Sequence, residues 1–176
     1  VSISSITCIA ASLAFALALA GPARATEVAS VDRPAPELDY RLLNGRVLRL
    51  KDLRGKVVVK VFWATWSPAA RGDLMHLQRL HGELAQRGLE VLALAIDEDP
   101  QEVRQFLRTR GYAFPVGMRE DVVYDRYGRV STTPLYYILD RQGVIRHRLA
   151  GSQGAAKLEE VLRPLLDETG VVTARP

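Results

Sequence analysis

The 176-residue chain contains a single cysteine, Cys8, and it lies in an apolar stretch close to the amino terminus. That stretch, ITCIAASLAFALALAG, is followed by Ala23-Arg24-Ala25. An apolar run ahead of an A-x-A pattern reads as a secretory signal peptide over residues 1–25, cut beside Thr26. The run is shorter than the roughly 20 residues that span a bilayer as a helix. Cleavage predicts a periplasmic or exported protein, whereas a retained segment would be a membrane anchor. Cys8 precedes the end of the run, so it is not a lipid-attachment cysteine. Without residues 1–25 no thiol is left, which excludes disulfides, thiolate metal sites and thiol catalysis.

Other side chains are scarce as well. Only four lysines accompany 20 arginines, and the formal charge is +4, or +3 once Arg24 is removed. The arginines are scattered among acidic residues. Arg104, Arg108 and Arg110 share one predicted helix, and Arg146 and Arg148 alternate on one predicted strand. A nucleic-acid face needs basic residues clustered on one element, so no nucleic-acid partner is expected. The three histidines are His76, His81 and His147. His76 and His81 are five apart and do not share a helix face as an i, i+4 metal pair would. Both are predicted to be surface residues, and neither a metal nor a cofactor is expected. There is no repeat and no low-complexity tract.

The remaining pattern describes one α/β domain over residues 37–168, between an irregular lead-in (26–36) and a tail (169–176). Asn44-Gly45 between apolar-rich runs marks a hairpin. KVVVKVFW (56–63) is a continuous β-branched run, as in a central buried strand. Leu74, Leu77, Leu80 and Leu84 recur at helical spacing up to Gly88, and LEVLALAI (89–96) is a second buried strand. Asp99-Pro100 opens a helix as N-cap and first residue, with Val103, Phe106 and Leu107 inward. Gly111 ends that helix, and YAFPVGM (112–118) supplies a short strand. Residues 121–129 are helical or irregular. LYYILD (135–140) and VIRHRLAG (144–151) form an antiparallel hairpin, and Leu158, Val161, Leu162, Leu165 and Leu166 mark the last helix, with Pro164 inside it.

The most unusual segment is FWATWSPAAR (62–71), where the first buried strand runs into a helix. With Thr133-Pro134 immediately before LYYILD, this order of elements resembles the thioredoxin fold. It is closest to the TlpA/ResA-type thiol-disulfide oxidoreductases of the periplasm, relatives of the AhpC/TSA proteins. The resemblance runs from about Ala35 to Asp167 and includes Asn44-Gly45, DLRGKVVVKVFWATW (52–66), Ile96-Asp97-Glu98-Asp99, Phe114-Pro115-Val116 and Ile138-Leu139-Asp140. It implies a mixed central sheet flanked by helices, with an N-terminal β-hairpin and the family's inserted helix and strand.

The family's W-C-x-x-C-R reads here Trp66-Ser67-Pro68-Ala69-Ala70-Arg71. Both reactive positions, Ser67 and Ala70, lack sulfur. A serine hydroxyl is too weak an acid to replace a thiolate, and Ala70 has no functional group. Ser67 is expected to serve as a helix N-cap. Trp63 is expected in the core and Trp66 at the border of the site. By resemblance, Trp66, Pro68, Thr133 and Pro134 would line a groove for an extended peptide or protein partner, with the backbone before a cis-proline facing the helix. Asp73 stands where the family often has Glu, and Met75 where it often has Pro. Tyr127-Gly128-Arg129-Val130 holds one extra residue, and Thr132 replaces a usual Gly. Two readings follow. In one, the exported chain has lost redox chemistry and retains a binding groove. In the other, it is an engineered inactive form of a disulfide reductase of the cytochrome c maturation type. Copper-delivery and peroxidase readings both fail for want of thiols.

Overall fold

A computed structural model describes residues 28–168. The expected signal peptide, the first two residues of the lead-in and the whole of the expected tail lie outside these residues. Two short strands, β1 (Asp39–Arg41) and β2 (Val47–Arg49), pair antiparallel around Asn44-Gly45. Gly45 has φ +85°, a left-handed conformation that favours glycine, and the Asn44 carboxamide accepts the Arg46 N–H at 3.1 Å.

The main sheet has the order β5-β4-β3-β6-β7. Its strands are β3 (Val57–Trp63), β4 (Leu89–Ala95), β5 (Val116–Met118), β6 (Leu135–Leu139) and β7 (Ile145–Ala150). β3, β4 and β5 run parallel, while β6 runs antiparallel to both β3 and β7. Central β3 is buried at every residue, the condition its unbroken apolar run anticipates.

Helices α1 (Pro68–Leu84), α2 (Pro100–Arg108) and α4 (Gly154–Asp167) pack on one face against Val57, Val59, Val61 and Trp63. Helix α3 (Asp121–Tyr127) and the hairpin cover the other, against Val58 and Phe62. Residues 121–127 are therefore helical. α2 begins at an Asp99 cap, whose carboxylate accepts the Gln101 N–H at 2.8 Å. Helix α4 continues through Pro164 to Asp167. The helix-strand unit between β4 and α3 is the insertion that the resemblance implied.

Lys60 departs from the apolar pattern of β3. Its side chain is fully buried on the α3 face, beside Leu92 and Tyr137 on the neighbouring strands. The ammonium nitrogen bonds to the hydroxyls of Tyr40 (2.6 Å) and Tyr127 and lies 3.8 Å from the Tyr127 ring centroid. Burial holds the Lys60 pKa well below its usual value, opposed only weakly by the negative charge of Glu37. The same burial raises the Tyr40 and Tyr127 phenols, so both stay protonated.

A lysine with a depressed folded-state pKa makes folding less favourable as pH falls from its unfolded value of about 10.4 toward the folded one. Lys60→Met is thus expected to raise the unfolding temperature at pH 7. The gain should be on the order of 1–2 kcal/mol, because the two tyrosine hydroxyls can still bond one another. Calorimetry from pH 7 to 10 checks this, and the difference between the two proteins should shrink as pH rises.

Candidate functional site

The site begins where β3 ends at Trp63 and α1 begins at Pro68. Asp97, beyond β4, fixes the connecting loop: the Thr65 N–H and hydroxyl donate to its carboxylate at 3.1 and 2.5 Å. Ser67 has extended backbone (φ −92°, ψ 108°) and caps the helix. Its Oγ accepts the Ala70 N–H at 3.3 Å and donates to the Thr133 carbonyl at 3.4 Å. The second contact joins the helix opening to the Thr133–Pro134 loop, whose peptide bond is cis. Neither partner of Ser67 is a base that could activate its hydroxyl.

The four residues expected to meet a partner are placed differently. Trp66 is 64 % exposed and Pro68 is exposed. Thr133 is half-buried, and Pro134 is buried with its carbonyl taken by the Gly151 N–H at 2.8 Å. This loop is therefore exposed in part at Thr133 and not at the proline ring. Trp63 lies in the core with its ring 5.3 Å from that of Phe106. The Trp63 Nε1 and Thr133 Oγ1 are buried and have no hydrogen-bond partner among the described residues.

Asp73 was singled out in the sequence only as a departure from family Glu, and its surroundings could not be read there. The residue is 3 % exposed. It accepts hydrogen bonds from Tyr136 Oη (2.5 Å), Ser152 Oγ (2.6 Å) and Gln153 N (2.9 Å). One carboxylate thus ties α1 to β6 and to the β7–α4 loop. Burial, then the hydrogen bond to Asp73, pushes the Tyr136 phenol above its usual range. The available signal was an acid inside an apolar stripe, between Ala70 and Leu74. His76 and His81 are corrections: both are half-buried rather than exposed surface residues, and His81 has defined partners. Its Nε2 lies 3.2 Å from the Glu90 carboxylate, and its ring meets Phe114 edge-on. The apolar face of α1 extends far enough around the helix to include it.

The first turn of α1 contains no acidic residue and does contain Arg71. No carboxylate of the helix's own first turn therefore offsets the partial positive charge of the helix N-terminus at position 67. Among the described residues no group of three or more His, Cys, Asp or Glu side chains could hold a metal ion, and no helix is long and apolar enough to cross a membrane.

Comparison with known proteins agrees with this architecture. The thiol-disulfide oxidoreductase ResA of Bacillus thuringiensis (strain Al Hakam) is 29 % identical over 140 residues, which cover 79 % of this chain and 80 % of the relative. ResA of Geobacillus thermodenitrificans is 28 % identical over 137 residues, 77 % of this chain and 78 % of that protein. Among solved structures, a thioredoxin-family thiol:disulfide interchange protein from Chlorobium tepidum superimposes with a TM-score of 0.71 at 22 % identity. It covers 78 % of this chain and 98 % of its own. A secreted thiol-disulfide isomerase from Corynebacterium glutamicum gives 0.68 at 23 % identity, covering 76 % and 86 %. The sequence profile of the AhpC/TSA family matches residues 31–148. The chain belongs to the AhpC/TSA family, among its thioredoxin-like thiol-disulfide oxidoreductases.

Proposed function

We propose that this protein is an exported, thiol-free binding member of its family. It would hold an extended segment of a partner polypeptide against Trp66, Pro68 and the Thr133 backbone, without disulfide exchange. The observation that carries the reading is the helix opening itself. The two positions where the family pattern has cysteine are a hydroxyl committed to the Ala70 N–H and the Thr133 carbonyl, and a buried methyl. Disulfide exchange requires a thiolate to attack and a second thiol to resolve the mixed disulfide, and neither side chain can do this. An exposed tryptophan next to the cap residue that bonds the Thr133 carbonyl is suited to holding a peptide. Export rests on the apolar leader and Ala23-Arg24-Ala25.

Two measurements test the reading. With a stoichiometric dithiol, disulfide reduction should not exceed the uncatalysed rate; clear turnover would refute thiol-free binding. A reduced, carboxymethylated polypeptide, extended and unable to form disulfides, should shift the fluorescence of Trp66 on binding. Trp66→Ala should weaken that binding by at least 2 kcal/mol, about 30-fold, as for a central aromatic contact. Unchanged affinity would remove Trp66 from the proposed groove.

A further inference from the structure

Trp66 and Met75 are the two most exposed of the large apolar side chains among the described residues, each at 64 %. On α1, Arg71, Met75 and Gln78 follow at i, i+4 and i+7 and so share one face. That face leads from the helix opening to a hollow of about 330 Å³ lined by Met75, Gln78, Thr109, Arg110 and Tyr112. Tyr112 supplies an aromatic wall stacked on Phe106 and Phe114, and its buried hydroxyl has no partner among the described residues.

The one charged residue that lines the hollow is Arg110. Arg79, Arg146 and Arg163 all have carboxylate partners. Arg71, Arg104, Arg108 and Arg110 have none among the described residues; Arg110 lies over the Phe106 ring, 4.2 Å from its centroid. Arg71 is one turn before Met75, and Arg108 and Arg110 bracket Thr109 at the end of α2. The unpaired Arg110 guanidinium beside Met75 and Tyr112, with Arg71 one turn before Met75 on the same helix face, is complementary to carboxylates flanking an aliphatic side chain. The hollow is at the small end of ligand clefts, about 300–1,000 Å³, and fits a side chain rather than a cofactor.

We infer that this hollow is a second docking point, occupied by an acidic segment of a protein partner that places one aliphatic side chain between Met75 and Tyr112. The inference rests on the proposed groove for the partner's direction, but not for the hollow's chemistry. From Pro68 to Gln78 the helix advances roughly 15 Å. About five residues of extended chain cover the same distance, so one partner segment can occupy both places.

The probe is a fluorescein-labelled synthetic peptide with one leucine between aspartates and glutamates. Fluorescence anisotropy should detect binding that weakens with salt. Replacing the peptide's acids with amides should reduce affinity at least roughly tenfold, and so should Arg71→Glu combined with Arg110→Glu. Amide spectra of the ¹⁵N-labelled protein verify that the variant is folded, and should show peptide-induced shifts at Met75, Gln78 and Arg110. Equal binding of the amide peptide, or by the double variant, overturns the inference. So do shifts confined to Trp66 and Thr133, an outcome that leaves the groove itself standing. Shifts at the hollow that persist in Trp66→Ala support it even where the groove reading fails.

Discussion

Ser67→Cys combined with Ala70→Cys is expected to give disulfide-reducing turnover where the unaltered protein gives none. The reason lies in what surrounds the two positions. Helix α1 has 17 residues, opens on Pro68 and carries no acid in its first turn, so its N-terminal field favours an anion at position 67. A cysteine there should titrate below the ordinary value of about 8.5; the corresponding thiol of thioredoxin lies near 7. At pH 7 such a fall raises the thiolate fraction roughly fifteenfold. Intrinsic nucleophilicity falls with pKa at a Brønsted slope of about 0.4–0.5, which leaves a net gain of only about threefold. The field therefore tunes the attack, while turnover depends on the second thiol.

Residue 70 lies in the same turn and is buried at the site's inner side, so its sulfur can resolve a mixed disulfide without meeting solvent. Ser67→Cys alone should accumulate mixed disulfides and not turn over. Thiolate absorbance against pH, with single- and multiple-turnover rates, measures each part. A folded double variant with an ordinary thiol pKa and no turnover would show that the Thr132-Thr133 approach has reshaped the site beyond the loss of its thiols.

Loss of the Asp73 carboxylate should have the largest effect on stability. Asp73→Ala leaves the buried Tyr136 hydroxyl without its acceptor and frees the Gln153 N–H, while the more exposed Ser152 can turn to water. Hydrogen bonds to a charged group contribute about 1.5–3 kcal/mol, and an orphaned buried donor costs about 1–3. The combined loss is expected near 3 kcal/mol, roughly 6–12 °C in unfolding temperature for a domain of this size. Asp73→Asn, which keeps one acceptor oxygen, should lose less. Tyr136→Phe should cost little when added to Asp73→Ala, because its partner is already gone; a double-mutant cycle measures that coupling. Additive losses would mean that Tyr136 and Asp73 do not act as a pair.

What could be read from the sequence was set by periodicity and by backbone chemistry. The β-branched run of β3, the leucine stripe of α1, the Asp99-Pro100 opening and the Asn44-Gly45 turn each depend on near neighbours, and each stands where local rules place it. The cap at Ser67 was legible for the same reason, since N-cap, Pro and Ala-Ala form a local signal. Contacts between residues distant in sequence were not legible. Asp73 meets Tyr136 and Ser152 across separations of 63 and 79 residues, and Lys60 meets Tyr40 and Tyr127 across 20 and 67. A lysine inside an apolar run signals that partners must exist, but no local pattern says which tyrosines supply them. Similarly, Arg110 looks like any solvated residue until the fold sets Met75 and Tyr112 beside it.

The lead-in, read from sequence as irregular, pairs with the sheet. Pro34 bridges Val144, Asp32 N–H bonds to the Ile145 carbonyl, and Ile145 N–H returns to Arg33. At the opposite margin the β1–β2 hairpin does the same for β5, through Leu42 beside Gly117 and Leu43 N–H on Val116. An uncovered sheet margin is a template on which another chain can add a strand. Here the hairpin pairs with part of one margin, and the strap pairs with the start of the other at Val144 and Ile145, while the rest of β7 carries Arg146 and Arg148. A protein that held other extended chains, as proposed for this one, would be exposed to indiscriminate strand addition, self-association included. With both margins partly paired and arginines on what remains of β7, strand addition at the sheet is disfavoured, and in the proposed reading capture falls to side chains at the helix opening.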